Sequence, residues 1–77
     1  MLSFLEISDK FAEQIDTAGA VSEVVKDDRK FLLDCTGDCT RIAISLWSAG
    51  IIDRKEYDVL YDVIEYSFHK ALDRYNR

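Results

Sequence analysis

The stretch LWSAGIIDRKEYDVL, Leu46 to Leu60, decides the reading of this 77-residue chain. It reads as one helix stopping and another starting with almost no loop between. Gly50 fits the C′ position of the first helix, where a left-handed backbone favours glycine. Counting back puts C3 at Leu46, and Ile51 is expected to pack on it, as in a Schellman motif. Asp53 fits the N-cap of the second helix, with Glu56 three residues later as its capping-box partner. Ile52 before the cap and Tyr57 after it complete a hydrophobic staple. Stop, start, cap and staple rules converge here, so the two helices are expected to form a close antiparallel hairpin. These residues therefore read as fold-building rather than chemical.

The pattern carried by Leu46, Ala49, Gly50, Ile51, Ile52, Asp53, Glu56 and Tyr57 resembles the SHOCT type of short helical segment. The resemblance covers residues 46–64, about a quarter of the chain. It implies a hairpin used for oligomerisation or interaction. The remainder of the chain carries no resemblance of this kind.

Beyond the turn, DRKEYDVLYDVIEYSFHKALDRYNR has the strongest helical period in the chain. Tyr57, Leu60, Tyr61, Ile64, Phe68, Ala71, Leu72 and Tyr75 share one face at about 100° per residue. Val59, Val63 and Tyr66 form a second, smaller apolar row roughly opposite. Asp58, Asp62, Glu65 and Asp73 make an acidic strip between the rows, with His69 among them. A helix apolar on two sides is expected to touch something on both. The second row meets either another chain or the protein's own core, and in either case is expected to be buried.

Before the turn, Cys35, Cys39, Ile42, Leu46 and Ala49 form a stripe that Ala43 and Trp47 widen. At the start, Phe4, Ile7, Phe11, Ile15 and Ala18 step by three, four, four and three, which predicts a helix over about residues 3–18. Glu6, Asp9, Glu13 and Asp16 lie away from that stripe. Gly19 sits where a helix stop belongs. Residues 20–37 are ambiguous. Val21, Val24, Val25, Phe31, Leu32 and Cys35 fit a helix with Asp27, Asp28, Arg29 and Lys30 mostly outward. The rival is a β-hairpin pairing EVVK with KFLLDC around DDR. DDR lacks the glycine or asparagine of tight hairpins, and a lone hairpin is marginal, so helix is preferred. Gly37 either ends a helix or is tolerated inside one at about 1 kcal/mol relative to alanine.

The whole chain reads as a single all-α domain, residues 1–77, of three to four helices in antiparallel hairpins. Composition agrees, with no proline and only three glycines. So short a chain buries only about 60% of its unfolded surface. Small scaffolds usually need a further staple, such as a metal or a second chain, and a homo-oligomer is expected. Fifteen acidic residues against ten basic ones give a net charge of −5. That balance lacks the basic footprint of a nucleic-acid binder and disfavours anionic membranes. It suits a basic protein partner, whose encounter it would speed. The N-terminal MLSFLEISDKF is acidic where a signal peptide is basic, and no apolar run reaches a membrane span. A cytoplasmic protein with reduced cysteines is expected.

Candidates for chemistry are few. Cys35 and Cys39 would be neighbours on one helical face. With His69 and a carboxylate they match no zinc spacing, and both read as small core residues. Glu65, His69 and Asp73 stand one turn apart, a spacing that can hold a divalent metal or move a proton, although a solvated acidic face is the simpler reading. There is no glycine-rich phosphate loop and no Cys–His pair in a convincing context, so neither an enzyme nor a cofactor is expected.

The expectation is a small acidic helical module that binds another protein. Its physical type is that of an inhibitor, an immunity or antitoxin-like factor, or a phage-encoded or bacterial modulator that occludes its partner's surface. Trp47, Val59, Tyr61, Val63 and Tyr66 are the expected apolar contacts. Asp58, Asp62, Glu65, His69 and Asp73 are the expected acidic ones. The alternative is a helical homo-oligomer holding a small ligand or divalent metal between subunits, with Arg41, Arg54, Lys55 or the Glu65–His69–Asp73 strip facing it.

Overall fold

Helix α1 runs from Phe4 to Val25, α2 from Lys30 to Ser48 and α3 from Arg54 to Tyr75. The structure, a computed structural model, describes residues 3–26 and 29–75, the last without its side chain. There is no strand among the described residues, and all three helix pairs pack on one another. A 22-residue helix is about 33 Å long, which accounts for most of the 38 Å long axis of the bundle. The chain is therefore a three-helix, all-α bundle.

Particular pairs give the helix directions. Going back along α1 from Ser22 to Gln14 goes forward along α2 from Leu32 to Cys35, so these two are antiparallel. Trp47 at the end of α2 stacks on Tyr57 at the start of α3. Gly19 late in α1 faces Ala71 late in α3, which makes α1 and α3 parallel. The core between them holds Phe11, Ile15, Leu32, Cys39, Ala43, Ile52, Leu60, Ile64 and Ala71.

The 46–60 turn forms much as the sequence predicts. Gly50 has φ +76°, its N–H donates to Trp47 O at 3.0 Å, and the Ile51 N–H donates to Leu46 O at 2.9 Å. That is the Schellman pair of bonds. Asp53 Oδ1 accepts from the Glu56 N–H at 2.8 Å, and Glu56 Oε1 accepts from the Asp53 N–H at 3.0 Å. One detail differs: Ile51 stays 63% exposed, and it is Ile52 that enters the core, at 4%. The residue next to the cap follows α3 inward, whereas its predecessor is left on the outside of the bend. At the other end of the chain, Ser3 and Glu6 form a second reciprocal box that starts α1. The S-x-x-E letters were present to signal it.

Two sequence expectations are corrected, and one ambiguity resolves to its preferred reading. Gly19 does not stop the first helix, which continues six residues further to Val25. A glycine serves left-handed turns and close backbone approach equally well, and Gly19 serves the second. The ambiguous 20–37 segment takes the preferred helical reading, with helix on both sides of a short link, and of the two roles open to Gly37 it has the one inside a helix, α2. Asp27 and Asp28 fall outside the described residues. Of its apolar positions only Leu32 is fully buried, while Val21, Val24, Val25 and Phe31 remain exposed near one end of the bundle. Second, the α2 stripe is only partly inward: Cys39 and Ala43 are in the core with Leu32, and Cys35 and Leu46 pack against it, but Ile42 is exposed. Packing against two neighbours turns the axis-facing arc of α2 away from the line that periodicity alone suggests.

The link between α1 and α2 has a device of its own. Lys26 and Arg29 both hold left-handed φ, at 54° and 71°. Non-glycine residues enter that region at a cost of order 1–3 kcal/mol each. Arg29 occupies the N-cap of α2 but makes no side-chain cap bond. The cap comes instead from α1: Ser22 Oγ, fully buried, accepts from the Leu32 N–H at 3.0 Å. The Ser22 carbonyl also accepts the Lys26 N–H that closes α1. Ser22→Ala should cost about 1–2 kcal/mol, since it removes a cap and strands a buried N–H. Urea unfolding measures the loss, and amide exchange should quicken first at Leu32. Unchanged stability would mean that α2 needs no cap from α1.

Candidate functional site

The second apolar row of α3 is not covered by the chain's own core. Val59 is 50% and Tyr66 71% exposed, with Val63 half-buried between them. The row therefore does not serve the chain's own interior, which removes the core alternative and leaves the row free to meet another chain. It forms one wall of an open groove between α1 and α3, about 790 Å³ in volume. Ala12, Val63 and Ser67 lie deepest, and Val59 and Tyr66 stand at the α3 edge.

The opposite edge belongs to α1 and is acidic. Asp9, Glu13 and Asp16 line it, all exposed. These carboxylates step by four and then three residues, as do Val59, Val63 and Tyr66. Because α1 and α3 run parallel, an acidic row and an apolar row of the same helical period face one another along the groove. Asp62 adds a fourth carboxylate from the α3 side. At the far end Arg74 Nη1 donates to Asp16 Oδ1 at 2.5 Å, tying the two walls together, and Lys70 stands nearby.

The other expected contacts lie elsewhere. Trp47 is at the seam of α2 and α3, its ring stacked on Tyr57 at 4.8 Å between centroids. Tyr57 meets Tyr61 at 6.3 Å, and the Arg54 guanidinium lies 5.1 Å from the centre of the Trp47 ring. Trp47 and Tyr61 thus belong to an aromatic cluster beside the turn, on the other flank of α3 from Tyr66. One flat partner surface would not reach both. Asp58, Glu65, His69 and Asp73 lie along α3 outside the groove. Arg54 Nε donates to Asp58 Oδ1 at 3.1 Å, and His69 Nε2 is 3.6 Å from Glu65 Oε2. Both pairs are exposed, and such pairs contribute little to stability. Arg41 is engaged with Asp38.

The cysteines lie on the inner side of α2. Burial pushes the Cys39 thiol up to about 12, with Cys35 and the Asp38 carboxylate acting in the same direction. Burial raises Cys35 as well, against a lowering hydrogen bond with Cys39. Cys35 Sγ donates to Gln14 O at 3.5 Å. Thiols held protonated this way are poor nucleophiles and poor ligands, because both roles require the thiolate. Among the described residues, no three His, Cys, Asp or Glu side chains are placed to hold a metal.

A smaller groove of about 510 Å³ separates α1 from α2, lined by Ala18, Val21, Phe31, Cys35 and Ile42, with Asp34 and Asp38. It lacks the two matched rows of the α1/α3 groove. Among the described residues, no helix is long and apolar enough to cross a membrane. The α1 half of the main groove was missed in the sequence, where Asp9, Glu13 and Asp16 read only as the polar side of a helix. Their common step with the α3 row was visible, but not that the two helices run parallel as neighbours. No family model, curated protein or solved structure matches the chain.

Proposed function

We propose that this protein is a protein-binding module whose docking surface is the α1/α3 groove. It acts by covering a surface of its partner, in the manner of an inhibitor or antitoxin-like factor. The carrying observation is the exposed Val59–Val63–Tyr66 row facing the Asp9–Glu13–Asp16 row. Apolar rows at helical spacing, left open in a small domain and edged by charge, are what helical partners anchor on. The apolar side chains supply affinity, and the carboxylates raise the rate of encounter with a basic surface. The resemblance of residues 46–64 to SHOCT-type hairpins, which serve association, points the same way. The buried Cys39 and half-buried Cys35, both with raised thiol pKa, and the solvated His69 strip offer less support for chemistry or for a ligand held between subunits.

The test is affinity capture from the source cell with wild type and Val63→Glu, both first checked for equal helicity and melting temperature. A partner held by wild type in moderate salt, released by added salt and lost by Val63→Glu is the expected result. A partner held equally by both proteins, or none held by wild type, would sink the proposal.

A further inference from the structure

The walls of the α1/α3 groove also select the kind of segment that fits it. This inference rests on the docking role proposed above and names the class of occupant. Both walls are helices, whose backbone groups bond internally and offer no edge to a strand. An extended segment would press part of its N–H and C=O groups against apolar side chains without partners, which is unfavourable. A helix brings its backbone already satisfied. Val59, Val63 and Tyr66 are spaced i, i+4, i+7, the pattern into which the knobs of a neighbouring helix interlock. From Val59 to Arg74 the wall is about 22 Å long, which accommodates roughly four helical turns.

Charge decides the flanks. With Asp16 and Arg74 paired, Asp9, Glu13 and Asp62 remain against Lys70 alone. Beyond the α3 edge lie the further carboxylates of Asp73, of Glu65 beside His69, and of Asp58, which Arg54 partly offsets. A helix seated on the apolar row therefore meets carboxylates on both sides. A second copy of this chain is a poor occupant, because it carries a net charge of −5 and would set carboxylates against carboxylates. We infer that the groove receives an amphipathic α-helix of another protein, with an apolar ridge about four turns long and lysines or arginines on both flanks.

Three 18-residue helical peptides test this, sharing one leucine ridge and differing in flanks of lysine, glutamine or glutamate. Each is titrated into the full chain, and backbone amide shifts are followed by NMR. The lysine peptide should shift Ala12, Val59, Val63 and Tyr66. It should bind about tenfold more tightly than the glutamate peptide at low salt, with the difference shrinking as salt rises. In the Asp9→Lys/Glu13→Lys variant the preference should fall towards parity while the circular dichroism stays unchanged.

If the glutamine or glutamate peptide binds the groove as well as the lysine one, the docking role stands and the cationic helix is overturned. If the lysine peptide shifts only the outward strip at Asp58 and Glu65, the helix-in-groove geometry is overturned. If no peptide moves the groove amides, the docking role falls with it. If those amides shift with protein concentration alone, a second copy is the occupant and the inference is overturned.

Discussion

Replacing Gly19 by valine is expected to destabilise the protein at or beyond the upper end of the roughly 1–3 kcal/mol that overpacking costs. A Cβ built at Gly19 would stand 2.9 Å from Ala71 Cβ and 3.9 Å from the Leu32 side chain. Ala71 Cβ is fixed to its backbone and cannot swing aside, so α1 and α3 must part. A gap of about 0.5–1 Å already forfeits a quarter to a half of each dispersion contact along the seam. Helix propensity pulls the other way, since alanine is favoured over glycine by about 1 kcal/mol in a helix interior. Gly19→Ala is therefore the sensitive case, with packing expected to outweigh propensity and leave a smaller net loss.

Two controls make the cause specific. Gly37→Ala makes the same change inside α2, where an added Cβ meets only Arg41 Nη1 at 3.9 Å, and it should stabilise by about 0.5–1 kcal/mol. Ala71→Gly should recover part of what Gly19→Ala loses, giving a favourable coupling of about 1 kcal/mol in a double-mutant cycle. Urea midpoints at constant slope measure all of these. A valine variant as stable as wild type would show that the two helices do not approach at this point.

Leu60→Ala is expected to cost about 2–5 kcal/mol, because Leu60 is fully buried and its loss leaves a cavity among stiff neighbours. A 77-residue domain has a total stability of about 4–12 kcal/mol, so the variant should be largely unfolded on warming. The neighbouring Val59 sits in the exposed row, and Val59→Ala should change stability by less than about 1 kcal/mol. Thermal melts of the two variants compare opposite sides of α3 one residue apart. Equal losses would place the Val59 row inside the protein and remove the groove as a surface. A large loss at Leu60 alone leaves the row free for a partner.

The candidate site was half legible. Val59, Val63 and Tyr66 were visible as a second row because three residues at i, i+4, i+7 on one helix need nothing but that helix to be aligned. The acidic wall was not, because Asp9 and Val59 are far apart in the chain and meet only through the bundle. That Trp47 and Tyr61 lie on a different flank from Tyr66 was hidden for the same reason. Trp47 is held by stacking on Tyr57 across the α2/α3 seam, a contact between different helices.

The sequence by itself determined the helical class, the Leu46–Leu60 turn with its Gly50 stop and Asp53–Glu56 box, and the inward face of α3 at Leu60, Ile64 and Ala71. Each of these rests on interactions within a few residues, which local spacing specifies. Only the tertiary structure decided that Gly19 is a crossing point rather than a stop. It alone showed that Ser22 caps a helix other than its own, and that Ile42 of the α2 stripe turns away from the axis. It also decided that an acidic and an apolar row face each other across α1 and α3. Each of those depends on which helices become neighbours and how closely they approach, and no local rule carries that information.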